Sequence, residues 1–178
     1  MERICKTTDI DALPGERWFA KENSIIDDMQ SLWGDWGVCS EVDTLKSVLM
    51  RRPGAEIDHF DWKAARFKEA IDPERFRSQH DRLVEIYRQH GVQVHYIEEQ
   101  REDRPNALFC RDLVLMTPEG AIVTRPAMEA RRGEERYAAK KLADLGVPII
   151  RTICGSATFE GAMGLWICLL YTSDAADD

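Results

Sequence analysis

Apolar positions along this chain come in short blocks separated by turn-forming residues, and in two places they recur at helical spacing. Residues 45–50, Leu-Lys-Ser-Val-Leu-Met, read as a buried strand that Arg51-Arg52-Pro53-Gly54 closes as a turn. A helix is predicted next. Asp72 suits its N-cap, Pro73 its first position and Gly91 its stop. Between them Phe76, His80, Leu83, Val84 and Tyr87 recur at three- and four-residue steps, which gives one core-facing stripe. Residues 92–97 read as a strand, and 98–104 as a charged, solvated loop ending at Pro105. Residues 113–117 and 121–124 flank Pro118-Glu119-Gly120, the pattern of a β-hairpin. A second helix is predicted over 128–145, with Ala138, Leu142 and Leu145 on one face, and a last strand over 147–152.

The order is therefore strand, helix, strand, then hairpin, helix, strand. That is an α/β pattern built from two successive ββαβ-like units. Trp18, Trp33 and Trp36, with Gly34 and Gly37, mark residues 1–35 as a packed lead-in to a domain over 36–167. His80 reads as a partly packed helix residue, and His90 as a favourable partner of the helix dipole.

Composition narrows the class. In 178 residues, 44% hydrophobic and 31% charged, there is material for one globular core rather than a disordered chain. A net charge of −8 argues against nucleic acid or an anionic membrane as partner and suits a cationic small molecule. Cys5, Cys39, Cys110, Cys154 and Cys168 show no metal or redox spacing, and with no signal peptide they point to reduced thiols in the cytoplasm. His59, His80, His90 and His95 form no metal-binding pair, so no metal is expected. The longest apolar run, 165–171, is too short to span a membrane.

Three stretches go beyond fold. Ser40-Glu41 leads into the first strand and its Arg-Pro-Gly turn, followed by Glu56. Pro105-Asn106-Ala107-Leu108-Phe109-Cys110-Arg111-Asp112 precedes the hairpin. Thr158-Phe159-Glu160-Gly161-Ala162-Met163 follows the last strand. Together with the arginine-rich stretch 124–135, they resemble the guanidino-group-modifying superfamily of arginine deiminases, dimethylargininases and amidinotransferases. Two positions depart from that pattern: Arg51 stands where many relatives carry histidine, and Met163 where they carry aspartate.

The resemblance implies a pentein-type α/β-propeller of five modules, of which residues 36–167 would form the first two to three. It implies a small guanidino substrate and no cofactor. Asp112 and Glu160 would flank the guanidinium, since a carboxylate holds a planar guanidinium through paired charge-assisted bonds. Phe109 would offer a stacking face, and Asn106 would bond the amino-acid end. Arg111 would orient the carboxylates from behind. Arg131, with Arg132 and Arg125 behind it, would clamp the substrate α-carboxylate as a two-donor fork. The same stretch also reads as a solvated helix turn in which Arg131 and Arg132 pair with Glu134 or Glu135.

In this superfamily a cysteine thiolate attacks the guanidinium carbon and a histidine passes protons. None of the cysteines or histidines here stands in the matching context. Cys110 is nearest, but on a strand between Phe109 and Arg111 it would point away from them. The chain is thus expected to be an N-terminal part of a C–N hydrolase that lacks its nucleophile. Amidino transfer is the alternative chemistry, and a non-catalytic ribosome-binding, anti-association role on the same fold is the alternative class. Residues 168–178 continue no motif and are expected to be a non-native tail.

Overall fold

The computed structural model describes residues 24–99 and 101–167; Trp18 and the expected tail at 168–178 lie outside them. The lead-in opens on α1 (Ile25–Asp28), where Ser24 and Asp27 cap one another reciprocally, and it continues as a wider helical turn, Met29–Trp33. Trp36 then anchors this segment. Its indole N–H donates to the Leu145 carbonyl at 3.1 Å, while the Val38 N–H donates to Thr117 O at 3.3 Å.

The first unit is β1 (Ser47–Met50), α2 (Pro73–Gln89) and β2 (Gln93–Tyr96), with β1 and β2 parallel in register Ser47↔Gln93 to Met50↔Tyr96. The helix forms where the sequence places it. Asp72 accepts from the N–H groups of Glu74 and Arg75 at 3.1 Å each, and Gly91 takes the left-handed φ of 76° past its end. Its buried face is narrower than the predicted stripe, because His80 and Val84 are buried but Leu83 is exposed. This unit is βαβ among the described residues rather than ββαβ.

The second unit is ββαβ. β3 (Val114–Thr117) and β4 (Gly120–Val123) form the hairpin, paired from Val114↔Val123 to Thr117↔Gly120. After α3 (Glu135–Asp144), β5 (Ile149–Thr152) runs parallel to β4, giving sheet order β3-β4-β5. The expected helix over 128–145 is shorter at its start. Glu129–Arg131 form one 3-10 turn, and Gly133 at φ 92° breaks it from α3.

The main core lies between α3 and the hairpin: Leu113, Val114, Ala121, Tyr137, Ala138, Leu142 and Val147. Ile97 and Leu49 from the first unit pack into it as well, so both small sheets share apolar contacts. No described helix is long and apolar enough to cross a membrane.

Candidate functional site

The Pro-Asn-x-x-Phe-x-Arg-Asp stretch does not begin a strand. Ala107, fully buried, anchors a turn in which Phe109 N–H donates to Asn106 O at 3.0 Å, and Cys110–Asp112 follow as a 3-10 turn ahead of β3. A 3-10 turn separates successive side chains by about a third of a revolution. Cys110 accordingly packs against the core, Arg111 points out to solvent, and Asp112 reaches toward Arg131. Cys110 faces away from the site for this reason, not because of strand alternation.

Two further stretches, 124–127 and 158–161, converge on that turn. Thr124 Oγ1 donates to the Asp112 carbonyl at 2.7 Å. Arg125 and Phe159 exchange both backbone bonds, at 3.1 and 3.0 Å. Ala127 N–H donates to Glu160 Oε1 at 3.3 Å. Gly161 lies so close to the turn that a Cβ there would overlap the carbonyl oxygens of Arg111 and Val114.

Asp112 and Arg131 form the centre. Arg131 is 6% exposed, and four of its five N–H groups are engaged. Nη1 donates to Asp112 Oδ2. Nη2 donates to the Phe109 carbonyl at 3.1 Å and to Glu134 Oε2 at 2.9 Å, and Nε donates to the same Glu134 oxygen at 3.1 Å. The Asp112 side chain keeps 21% exposure, and Phe109 beside it is 45% exposed. A partly open carboxylate next to an open aromatic face can receive a planar cation.

Charge is concentrated beneath this centre. Arg51 and Glu56, each 2% exposed, face one another at 3.8 Å. Burial pushes the Glu134 carboxyl up from its ordinary value, against the pull of Arg131 and the fields of Arg51 and Arg104. Burial opposes the charge on Arg131, yet Glu134 and Asp112 outweigh it and hold its pKa above the usual value. Burial also pushes the Cys110 thiol up to about 12, despite the nearby Arg51 and Arg131.

Several predicted roles meet a different geometry. Arg131 was expected to face a substrate α-carboxylate, but it is turned inward onto Asp112 and Glu134. The alternative pairing with Glu134 is the one that forms, and it is buried rather than solvated. Arg111 does not back the site carboxylates: it donates to Glu41 Oε1 at 3.3 Å and to the Gly164 carbonyl at 2.9 Å. Asn106 is half-buried, with Nδ2 3.5 Å from the Ala65 carbonyl. Glu160 reaches the cluster through Ala127, and no protein partner among the described residues takes its Oε2. Met163 is exposed. Sequence reasoning missed the buried Arg51–Glu56 pair and the weight of Glu134; the one available signal was the i, i+3 spacing of Arg131 and Glu134.

Solved structures share this fold. Dimethylarginine dimethylaminohydrolase from Pseudomonas aeruginosa, a mutant complexed with citrulline, is 24% identical with a TM-score of 0.55, covering 67% of this chain and 46% of that one. The N-terminal domain of ArgZ, an arginine dihydrolase of cyanobacteria bound to product, is 20% identical at TM-score 0.56, covering 67% and 43%. An AgrE mutant with L-arginine is 21% identical at 0.56, covering 67% and 18%. The chain thus spans less than half the length of these structures. None of the curated proteins matches it.

The fold shared with these structures, together with a family match over more than half of the chain, places it in the guanidino-modifying, pentein-fold superfamily. Residues 46–151, more than half of the chain, match the family described as N,N dimethylarginine dimethylhydrolase, eukaryotic, and the chain belongs to that family. The match contains Asn106, Phe109, Arg111, Asp112 and Arg131; Glu160 lies beyond it.

Proposed function

We propose that this chain forms the guanidinium-binding part of a hydrolase that cleaves the C–N bonds of arginine or methylated arginine. The observation that carries the reading is the Asp112 carboxylate, held on Oδ2 by Arg131 and partly open beside Phe109. Arg131 already shows a guanidinium seated on this carboxylate. A substrate guanidinium would take Oδ1, with Phe109 along its face and Glu160 Oε2 as second acceptor. Asn106 would meet the amino-acid end, and Arg111 would line the entrance. Arg131 would act from behind Asp112.

In the covalent chemistry of this superfamily a thiolate adds to the guanidinium carbon and the amine leaves with a proton from histidine. Water then resolves the amidino-thioether to a ureido product. Cys110 does not suit the nucleophile, because its thiol is buried and protonated at neutral pH. The 178-residue chain alone is therefore expected to bind substrate without turning it over. The family match favours hydrolysis over amidino transfer.

The test is a titration of the chain with L-arginine and N,N-dimethylarginine, alongside an assay for ureido product. Saturable binding that Asp112→Asn weakens about 10- to 150-fold is expected, since a lost bond to a charged group removes about 1.5–3 kcal/mol. Unchanged binding in a folded Asp112→Asn protein would rule out the guanidinium site. Turnover by the purified chain would overturn the expectation that the nucleophile is missing from it.

A further inference from the structure

The Glu134 carboxylate is the least explained charged group near the site. It is 1% exposed, and its Oε1 has no hydrogen-bond partner among the described residues. A buried carboxylate oxygen with no hydrogen-bond partner costs stability, so its presence calls for an explanation. Its other oxygen, Oε2, shows what that is: it accepts from both Nε and Nη2 of Arg131, at 3.1 and 2.9 Å. The guanidinium is a rigid plane, so fixing its Nε–Nη2 edge fixes the direction of Nη1. Nη1 is the group bonded to Asp112 Oδ2.

The backbone holds the acid in place. Glu134 N–H donates to Arg131 O at 3.2 Å, and Glu134 O accepts from Tyr137 N–H at 3.1 Å, which locks residue 134 between the 3-10 turn and the start of α3. Negative charge is favoured at a helix N-terminus. Two separate features, the loop geometry and the helix start, thus fix the acid that fixes Arg131.

We propose that Glu134 is a positioning residue. Through Arg131 it sets the orientation of the Asp112 carboxylate, leaving Oδ1 presented to an incoming guanidinium. The inference rests on the guanidinium-site reading above and adds to it a buried Glu134–Arg131–Asp112 relay. The relay acts on the guanidinium end of the substrate through Asp112, so a guanidine without a carboxylate can report on it.

A structural ion pair and a positioning pair respond differently to apolar replacement. Removing one partner of a buried pair is strongly destabilising, whereas replacing both with hydrophobic residues of similar volume is often neutral or better. The experiment uses the 178-residue chain and an N-alkylguanidine with no carboxylate as the probe, with binding followed by NMR and folding by thermal melts. Wild type is expected to bind the probe. Glu134→Gln should lose at least tenfold in affinity and also melt lower. The double variant Arg131→Met with Glu134→Met should regain the melting temperature but not the affinity. A double variant that binds the alkylguanidine as wild type does would overturn the proposal.

A second measurement covers loss of fold in both variants. In wild type the Arg131 Nε–H, buried and bonded to Glu134, should exchange slowly with water; rapid exchange would refute the relay without any variant. The two readings fail separately. If wild type binds no alkylguanidine, the guanidinium site is wrong, and the Glu134–Arg131 link is judged on the Nε–H exchange alone.

Discussion

Cys110 sits within the stretch that carries the proposed site, yet its surroundings keep its thiol out of reactive chemistry. Its thiol packs against the core and is pushed up to about 12 by burial, so even the arginines nearby leave it protonated. Nucleophilicity belongs to the thiolate. Alkylation by iodoacetamide at neutral pH should therefore modify the exposed Cys39 and Cys154 first, with Cys110 modified only on unfolding. Mass mapping of the labelled peptides reads this directly, and early labelling of Cys110 would contradict its burial. Asp112 was legible in the sequence because its neighbours define a recognisable motif. The direction of Arg131 was not, since a surface fork for a carboxylate and a buried strut for Asp112 need the same residue at the same place. Only the burial of Glu134 decides between them, and no local pattern encodes it.

At the scale of elements, the site is built where a turn, a strap and a bridge meet: Cys110–Asp112, the stretch from Thr124 to Arg131, and Phe159–Gly161. Gly161 is the closest point of approach. An added methyl would overlap two backbone carbonyls, which cannot swing aside as a side chain can. Gly161→Ala should thus lower unfolding stability by about 1–3 kcal/mol through overpacking and displace Glu160 from Ala127. Denaturant melts measure the first effect, and the Ala127 amide shift reports the second. An unchanged melt would show that the 158–163 stretch is not seated on the turn. Helix α2 was readable almost to its ends, because Asp72, Pro73 and Gly91 are local signals that act through backbone bonds. The start of α3 was not, since residues 128–132 have helical composition but are drawn into a 3-10 turn by the burial of Arg131. The stretch 109–112, expected on a strand from the superfamily resemblance, forms a turn for a similar reason: the Phe109 ring is exposed and its carbonyl accepts from Arg131.

At the scale of the whole molecule, the two βαβ-based units are joined by Ile97 and Leu49 entering the core of the second, a long-range contact that periodicity within either unit cannot announce. The stability of the joined molecule should respond to acid through His80. This residue is 9% exposed on α2, beside the ring of Tyr96 on β2, and neither ring nitrogen has a hydrogen-bond partner among the described residues. The charged groups facing it are Asp81, whose Oδ1 lies 3.6 Å from Nδ1, and Arg52, which binds Asp81 at 2.7 and 2.8 Å. At 3.6 Å the Asp81 contact is too long for a hydrogen bond. Burial lowers the His80 pKa from its ordinary 6.5, and Asp81 only partly opposes this. The sign follows from proton uptake. Above 6.5 the ring is neutral in both folded and unfolded chains and contributes nothing. As pH falls through 6.5 the unfolded chain takes up a proton that the folded one resists, so stability drops. Asp81, held below the usual carboxylate value of 3.8 by Arg52, adds its own loss only in stronger acid. Glu134 has the opposite sign, because its raised pKa favours proton uptake by the folded state. The melting temperature should therefore decline between 6.5 and the carboxylate range. His80→Leu, which fills the site without an unpaired polar atom, should flatten that decline and leave the neutral-pH melting temperature equal or higher. A His80→Leu protein that keeps the full decline would place the acid sensitivity elsewhere in the fold.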